Sequence, residues 1–166
     1  MRRAPFLLLA AIVLLADQFT KYWIVHSLET DSSRELIPRV LYFTRTTNSG
    51  AAFGVFPHAT YLLALTALIA ALGIGIYAWR QYWPLPWSCG MGLALPLGGA
   101  LGNFIDRVRL GYVIDFIEVH IGNYVWPIFN VADSCICIGV GTLVALAVKS
   151  QSQTTERQKE VGSIPS

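Results

Sequence analysis

The chain has 166 residues, enough for one domain, with 54% of them apolar, only 13% charged and a formal net charge of +2. A soluble domain carries about 25% charged residues, so this chain lacks the polar surface to cover itself in water and reads as an integral membrane protein. The small positive balance, with no interleaving of basic and aromatic residues, excludes nucleic acid as a partner.

A membrane span needs about 20 predominantly apolar residues. Four segments qualify, at about 4–25, 59–79, 83–105 and 127–148. The first carries Asp17 and Lys21 late in its course; its start, with Arg2 and Arg3 before an apolar run, also has the form of a secretory signal peptide. No convincing small-x-small cleavage site follows, so a retained span is the better reading. The second and third spans are uncharged; Pro84 and Pro86 fall at the start of the third and Pro96 predicts a kink. The fourth has Asp133 as its only charge.

Aromatic residues gather where the interfaces should be, Tyr77, Trp79, Tyr82, Trp83 and Trp87 at one and Tyr112, Tyr124 and Trp126 at the other. Counts of Lys and Arg tie between the two sides. Arg2 and Arg3 before the first helix then place both termini in the cytoplasm. The expected extracytoplasmic loops are 29–58 and 106–126. In the first, Val40–Thr46 is rich in β-branched and aromatic residues and leads to the turn signal Asn48-Ser49-Gly50, which suggests a small sheet on the membrane. The membrane domain is thus 1–149, and the polar segment 150–166 is expected to be a disordered cytoplasmic tail.

At about 1.5 Å of rise per residue, Asp17 lies about 20 Å into the first span and Lys21 about 6 Å further. Asn103 and Asp106 fall near the outer end of the third span. Asn130 and Asp133 would lie about 5 Å and 9 Å below the outer surface in the fourth. Each pair is spaced i,i+3 or i,i+4 and shares a helix face. Polar groups from three helices therefore converge near one surface, and Asp115, in the apolar stretch Gly111–Phe116, is drawn back toward them to face Asp133.

Ionisable residues inside spans are functional candidates by default. Two carboxyls in an apolar site cannot both ionise easily, so one serves as acid and one as base, the chemistry of an aspartic protease. Asp17–Lys21 also has a plain reading as an intrahelical ion pair, and Asp106–Arg107 as a helix end snorkelling to the interface. Gly98 and Gly102 form a Gly-x-x-x-Gly suited to close helix packing. Cys89, Cys135 and Cys137 and the scattered His26, His58 and His120 have no metal-ligand spacing, and no cofactor or metal is expected. Two other readings remain open: a proton-coupled transporter, which would need a polar path through the bilayer, and a structural subunit in which the acid pairs serve packing.

Five motifs in order carry a more specific signal: Asp17-x-x-Thr20-Lys21; Asn48-x-Gly50-x-Ala52-Phe53-Gly54; Gly98-Gly99-Ala100-x-Gly102-Asn103-x-x-Asp106-Arg107; Asp115-Phe116; and Phe129-Asn130-x-Ala132-Asp133. With these, residues 10 to 145 resemble bacterial lipoprotein signal peptidase, signal peptidase II. Ile114 stands where that family usually has valine. The resemblance implies an all-α membrane fold of four helices with a small extracytoplasmic β-cradle, in the bacterial inner membrane. It implies a catalytic pair at Asp115 and Asp133, with Asn48, Gly50, Asn103, Arg107 and Asn130 lining the site and Asp17, Lys21 and Asp106 supporting it. The implied substrate is a diacylglyceryl-modified prolipoprotein, cut just before its lipidated cysteine near the outer leaflet. The enzyme is expected to work as a monomer among membrane lipids.

Overall fold

The computed structural model describes residues 1–50 and 59–162, with side chains through residue 154. Ala52, Phe53 and Gly54 of the second motif lie outside the described residues. Four long helices, α1 (Arg3–Ser27), α2 (Thr60–Arg80), α3 (Trp87–Leu110) and α4 (Val131–Gly162), are joined by a four-stranded sheet of β1 (Ser33–Ile37), β2 (Leu41–Asn48), β3 (Val113–Ile121) and β4 (Tyr124–Phe129). All four helices are long and apolar enough to cross a membrane. The expected architecture of four spans and a small sheet is present.

The helices obey simple rules of burial. In α1 the buried residues are Phe6, Ala10, Val13, Asp17, Lys21 and Ile24, spaced three or four apart along one stripe. The rest of α1 is the exposed apolar surface of a lipid-facing helix, with Leu7, Leu8, Ile12, Leu15 and Phe19 outward. α2 buries Thr60, Ala64, Ala71 and Ala78, small side chains that let it lie close to α3. α3 is the central helix: more than half of its span is buried, and it packs against each of the other three.

Glycine makes that central position sterically possible. A methyl group added at Gly98 would meet the Ala10 carbonyl oxygen and Val13 of α1, and one at Gly99 would meet the Ala132 carbonyl oxygen and Ile136 of α4. At Gly102 it would strike the carboxylate of Asp17. Three helices thus approach one another through a run of bare backbone.

The sheet is antiparallel throughout, in the order β1-β2-β3-β4. Ile24 at the end of α1 packs with Ile114 and Phe116 of β3, and Phe43 of β2 joins them. A second apolar cluster, with Phe6, Ala10, Ala78, Leu93 and Ala94, fills the other end of the bundle. Along α1 the polar pair Asp17–Lys21 lies between these two clusters.

Three details differ from the sequence expectation. α3 begins at Trp87, so Pro84 and Pro86 precede it, and it continues to Leu110, which places Asp106 and Arg107 on the helix. Residues 124–129, assigned in part to the fourth span, form β4 instead, and the outer loop 106–126 contributes two strands. A run containing Tyr, Val, Trp, Ile and Phe suits a strand as well as a span, and periodicity cannot separate the two over so short a length. Finally, the segment from Ser150, expected to be disordered, continues α4 to Gly162. Extending an existing helix fixes one residue per hydrogen bond, and Gln, Lys, Glu and Arg are good helix formers.

The Gly99→Ala variant is expected to lose several degrees of thermal stability in detergent, because the methyl group pushes against α4 backbone. Gly75→Ala, which meets nothing within 4 Å, is expected to lose none. Equal melting temperatures for the two would contradict the packing described.

Candidate active site

Asp115 lies in β3 between the buried residues Val113, Ile114 and Phe116, and is only 2% exposed. Asp133 lies in the first turn of α4. That is about 3 Å into the helix from Val131, shallower than the sequence suggests, because Asn130 precedes the helix and caps it. The two carboxylates line one cavity of about 470 Å³, whose walls include Asn48, Asn103 and Arg107. The apolar side chains Trp126, Ile128 and Phe129 of β4 complete it.

Asn130, fully buried, joins the pair. Its Nδ2 donates to Asp115 Oδ1 at 2.7 Å. Its Oδ1 accepts from the Asp133 backbone N–H at 2.9 Å, while its own backbone N–H donates to Asp133 Oδ2 at 3.3 Å. This reciprocal arrangement is a capping box in which the third helical residue is an aspartate. It satisfies orphan donors of α4 and fixes the Asp133 rotamer in one stroke. The neighbouring orphan N–H, of Ala132, donates to Asp17 Oδ1 at 3.0 Å, so α1 also caps α4.

Behind this layer lies Lys21, 2% exposed, whose three N–H donors meet three acceptor oxygens. Its Nζ is 2.8 Å from Asp17 Oδ2 and 2.8 Å from Asp106 Oδ2, and it donates to Asn103 Oδ1 at 3.0 Å. Asn130 Nδ2 also donates to that same Asn103 oxygen. With Oδ1 taken twice, the Asn103 amide must turn its Nδ2 outward, and it donates to Asp133 Oδ1 at 2.7 Å.

On the other wall, Asn48 Nδ2 donates to Asp115 Oδ2 at 2.9 Å, and Asn48 Oδ1 accepts from the Gly50 N–H. Arg107 donates to the Gly50 carbonyl oxygen at 3.2 Å and to the Asn103 carbonyl oxygen at 3.4 Å, and its buried Nε has no partner among the described residues. Every candidate from the sequence therefore falls in one connected cluster. Gln18 was missed. Its Nε2 donates to Asp106 Oδ1 at 2.9 Å and lies 3.3 Å from Asp17 Oδ2, yet one glutamine beside an aspartate gives no pattern to read. Nor does the pattern disclose the β4 wall, since Ile128 and Phe129 fit a span and Trp126 fits an interface.

Burial, and after it the charge of Asp133, push the Asp115 carboxyl up from its ordinary 3.8 to about 6. The hydrogen bonds from Asn48 and Asn130 and the charge of Lys21 act in the opposite direction without cancelling the rise. A carboxyl poised in this way keeps a proton more readily than a free one, beside a second carboxyl held by donors. That is the requirement for acid–base chemistry on water.

The fold and the cavity define a multi-pass membrane protein with a paired-carboxylate site at one end of its helix bundle. The profile of the family described as "Signal peptidase (SPase) II" matches residues 9–149. A lipoprotein signal peptidase of Syntrophotalea carbinolica is 41% identical over 140 residues, covering 83% of this chain and 87% of that protein. One from Geobacillus thermodenitrificans is 44% identical over 139 residues, covering 84% and 86%. Among solved structures, a bacterial membrane enzyme determined by the in meso method at 2.3 Å resolution superimposes with a TM-score of 0.84 at 34% identity, covering 92% of this chain and 95% of that one. The chain belongs to the signal peptidase II family.

Removing the charge of Lys21 tests the network. Lys21→Met leaves Asp17 and Asp106 buried without their cation and is expected to destabilise the protein by about 3–5 kcal/mol. Adding Asp106→Asn should recover part of the loss, measured by thermal unfolding in detergent. A single variant as stable as the parent would contradict the arrangement.

Proposed function

We propose that this signal peptidase is an aspartic endopeptidase of the bacterial inner membrane, acting on diacylglyceryl-modified prolipoproteins just before the lipidated cysteine. The observation that carries the proposal is the placement of Asp115 and Asp133 on one buried cavity, tied to each other through Asn130. The pair holds one proton. The ionised carboxylate takes a proton from water as the oxygen attacks the scissile carbonyl carbon, and the protonated partner donates to the carbonyl oxygen. Collapse of the tetrahedral intermediate breaks the C–N bond, with a proton passing to the departing amine. Arg107, with Asp115 and Asp133 as charged neighbours, is suited to hold the scissile segment, and Asn48, Asn103 and Asn130 keep both carboxylates in register. The apolar wall of β4 suits a lipidated substrate entering from the bilayer. Substrate identity rests on the family relatives, and monomeric action on both carboxylates and their hydrogen-bond partners coming from one chain.

The orientation proposed has both termini in the cytoplasm and the sheet outside. Arg2 and Arg3 precede α1 and support it. A reporter fused after Ser150 is expected to be active only in the cytoplasm; periplasmic activity would reverse the orientation.

Asp115→Asn and Asp133→Asn should each abolish cleavage of a diacylated prolipoprotein in a gel-shift assay, and the double variant should be scarcely worse, because the two act as one unit. The pH profile of kcat/KM should be a bell. Its alkaline limb falls as the pH rises above about 6, where Asp115 loses its proton, and its acid limb falls as the pair takes up a second proton. Stability follows the same sign. A carboxyl raised by folding contributes stability below its ordinary value near 3.8, which is lost as the pH rises through about 6. Asp115→Asn should therefore melt no lower than the parent at pH 7, with any advantage gone at pH 4. The gain is partial, because the new amide faces the Nδ2 groups of Asn48 and Asn130. Substantial cleavage by either single variant would remove the pair from the mechanism.

A further inference from the structure

A second cavity, of about 310 Å³, lies between the ends of α1 and α3 beside Arg45 of β2 and the start of β3, and shares no lining residue with the aspartate cavity. Its volume falls at the lower end of small-ligand clefts, roughly 300–1,000 Å³. Lys21, His26, Arg45 and Arg109 line it, with Tyr22 and Tyr112 beside them. Among the described residues the only carboxylate in its wall is Asp106, which is already bound by Lys21, Gln18 and the Ile114 N–H.

The uncommitted donors point the same way. Arg109 is exposed, and its side chain makes no hydrogen bond or ion pair among the described residues. Arg45 spends Nη1 on the Val25 and Leu28 carbonyl oxygens at the end of α1, and its Nη2 and Nε have no partner among the described residues. His26 already donates from Nδ1 to the Tyr22 carbonyl oxygen, which makes Nε2 a lone-pair acceptor in the neutral ring, so the spare donors are those of the two arginines. The acceptors exposed by the last turn of α1 are thus partly neutralised from within, and the spare charge is positive.

Height and rim decide the source of the anion. The cavity sits at the last turns of two spanning helices, the level at which lipid headgroups lie, and its apolar rim includes the exposed Tyr22 and Leu110. A basic pocket between spanning helices is the form taken by headgroup sites for acidic lipids. We propose that this cavity binds the phosphate of an anionic phospholipid from the leaflet next to the sheet, with Arg109 and Arg45 as its main contacts and the acyl chains lying along α1 and α3. A zwitterionic headgroup presents a phosphate of the same form, but its ammonium would be repelled by the same cluster.

The test uses the full chain in nanodiscs of mixed phosphatidylglycerol and phosphatidylcholine, with bound lipid counted by native mass spectrometry after release into detergent. The parent protein should retain phosphatidylglycerol in preference to phosphatidylcholine. Arg109→Gln should weaken that preference about fivefold, as expected for one surface cation near an acidic lipid. Arg45→Gln should weaken it similarly, and Arg109→Lys should keep most of it. Arg80→Gln, at the opposite end of the bundle, should leave it unchanged. Equal retention of the two lipids, no effect of Arg109→Gln, or an equal effect of Arg80→Gln would overturn the proposal. Displacement of the lipid by millimolar inorganic phosphate alone would also overturn it, by showing that the cavity takes free phosphate. Cleavage in neutral detergent is read separately and should be unaffected by Arg109→Gln, so failure of this proposal is distinct from failure of the catalytic one.

Discussion

One buried ammonium group organises this molecule. Lys21 Nζ meets Asp17 of its own helix, and Asp106 and Asn103 of α3, while Asp17 passes the connection on to the first turn of α4 through the Ala132 N–H. Three helices thereby share one charge cluster between two apolar layers. Taking such charges out of water costs several kcal/mol per ion, and the cost is offset only when every donor and acceptor is used. Here the three protons of Lys21 each have an acceptor. A network of this kind specifies register, since sliding α3 against α1 by a turn would part Asp106 from Lys21 and leave its buried charge unpaired.

The site inherits its geometry from that constraint. Lys21 sets the face of the Asn103 amide, Asn103 presents its Nδ2 to Asp133, and the capping box with Asn130 holds Asp133 from the other side. Asn130 then reaches across to Asp115 on the sheet. The sheet itself is anchored by Ile24, one turn beyond Lys21 on the same stripe of α1. Helix bundle and sheet are therefore positioned by adjacent residues of a single helix. Asp115 and Asp133 come from different kinds of secondary structure and still meet.

The central helix explains why the cluster fits. Gly98, Gly99 and Gly102 let α1 and α4 approach α3 closely enough for short side chains to bridge them. With larger residues there the carboxylates and amides would stand too far apart for direct hydrogen bonds, and water would enter. Exclusion of water is also what raises the Asp115 carboxyl to about 6. Packing and proton chemistry thus follow from the same bare stretch of backbone.

By itself the sequence determined the membrane environment, the four spans and the identity of the polar cluster, because hydropathy and i,i+4 spacing are local properties that a bilayer enforces strongly. Asp17, Lys21, Asn103, Asp106, Asn130 and Asp133 all stand out as polar residues in apolar surroundings. It could not determine that residues 124–129 are a strand, since a short apolar run fits strand and span alike and only pairing with β3 chooses between them. Nor could it reveal that Asp133 is held by a cap, that Gln18 joins the network, or that Arg45 and Arg109 meet across a cavity. The cap spans only three residues and shows once α4 is known to begin at Val131, whereas the other two depend on residues far apart in the chain, 88 positions for Gln18 and Asp106. Only the packing of the helices around α3 decides such contacts, because each is made between elements whose local patterns carry no information about their neighbours.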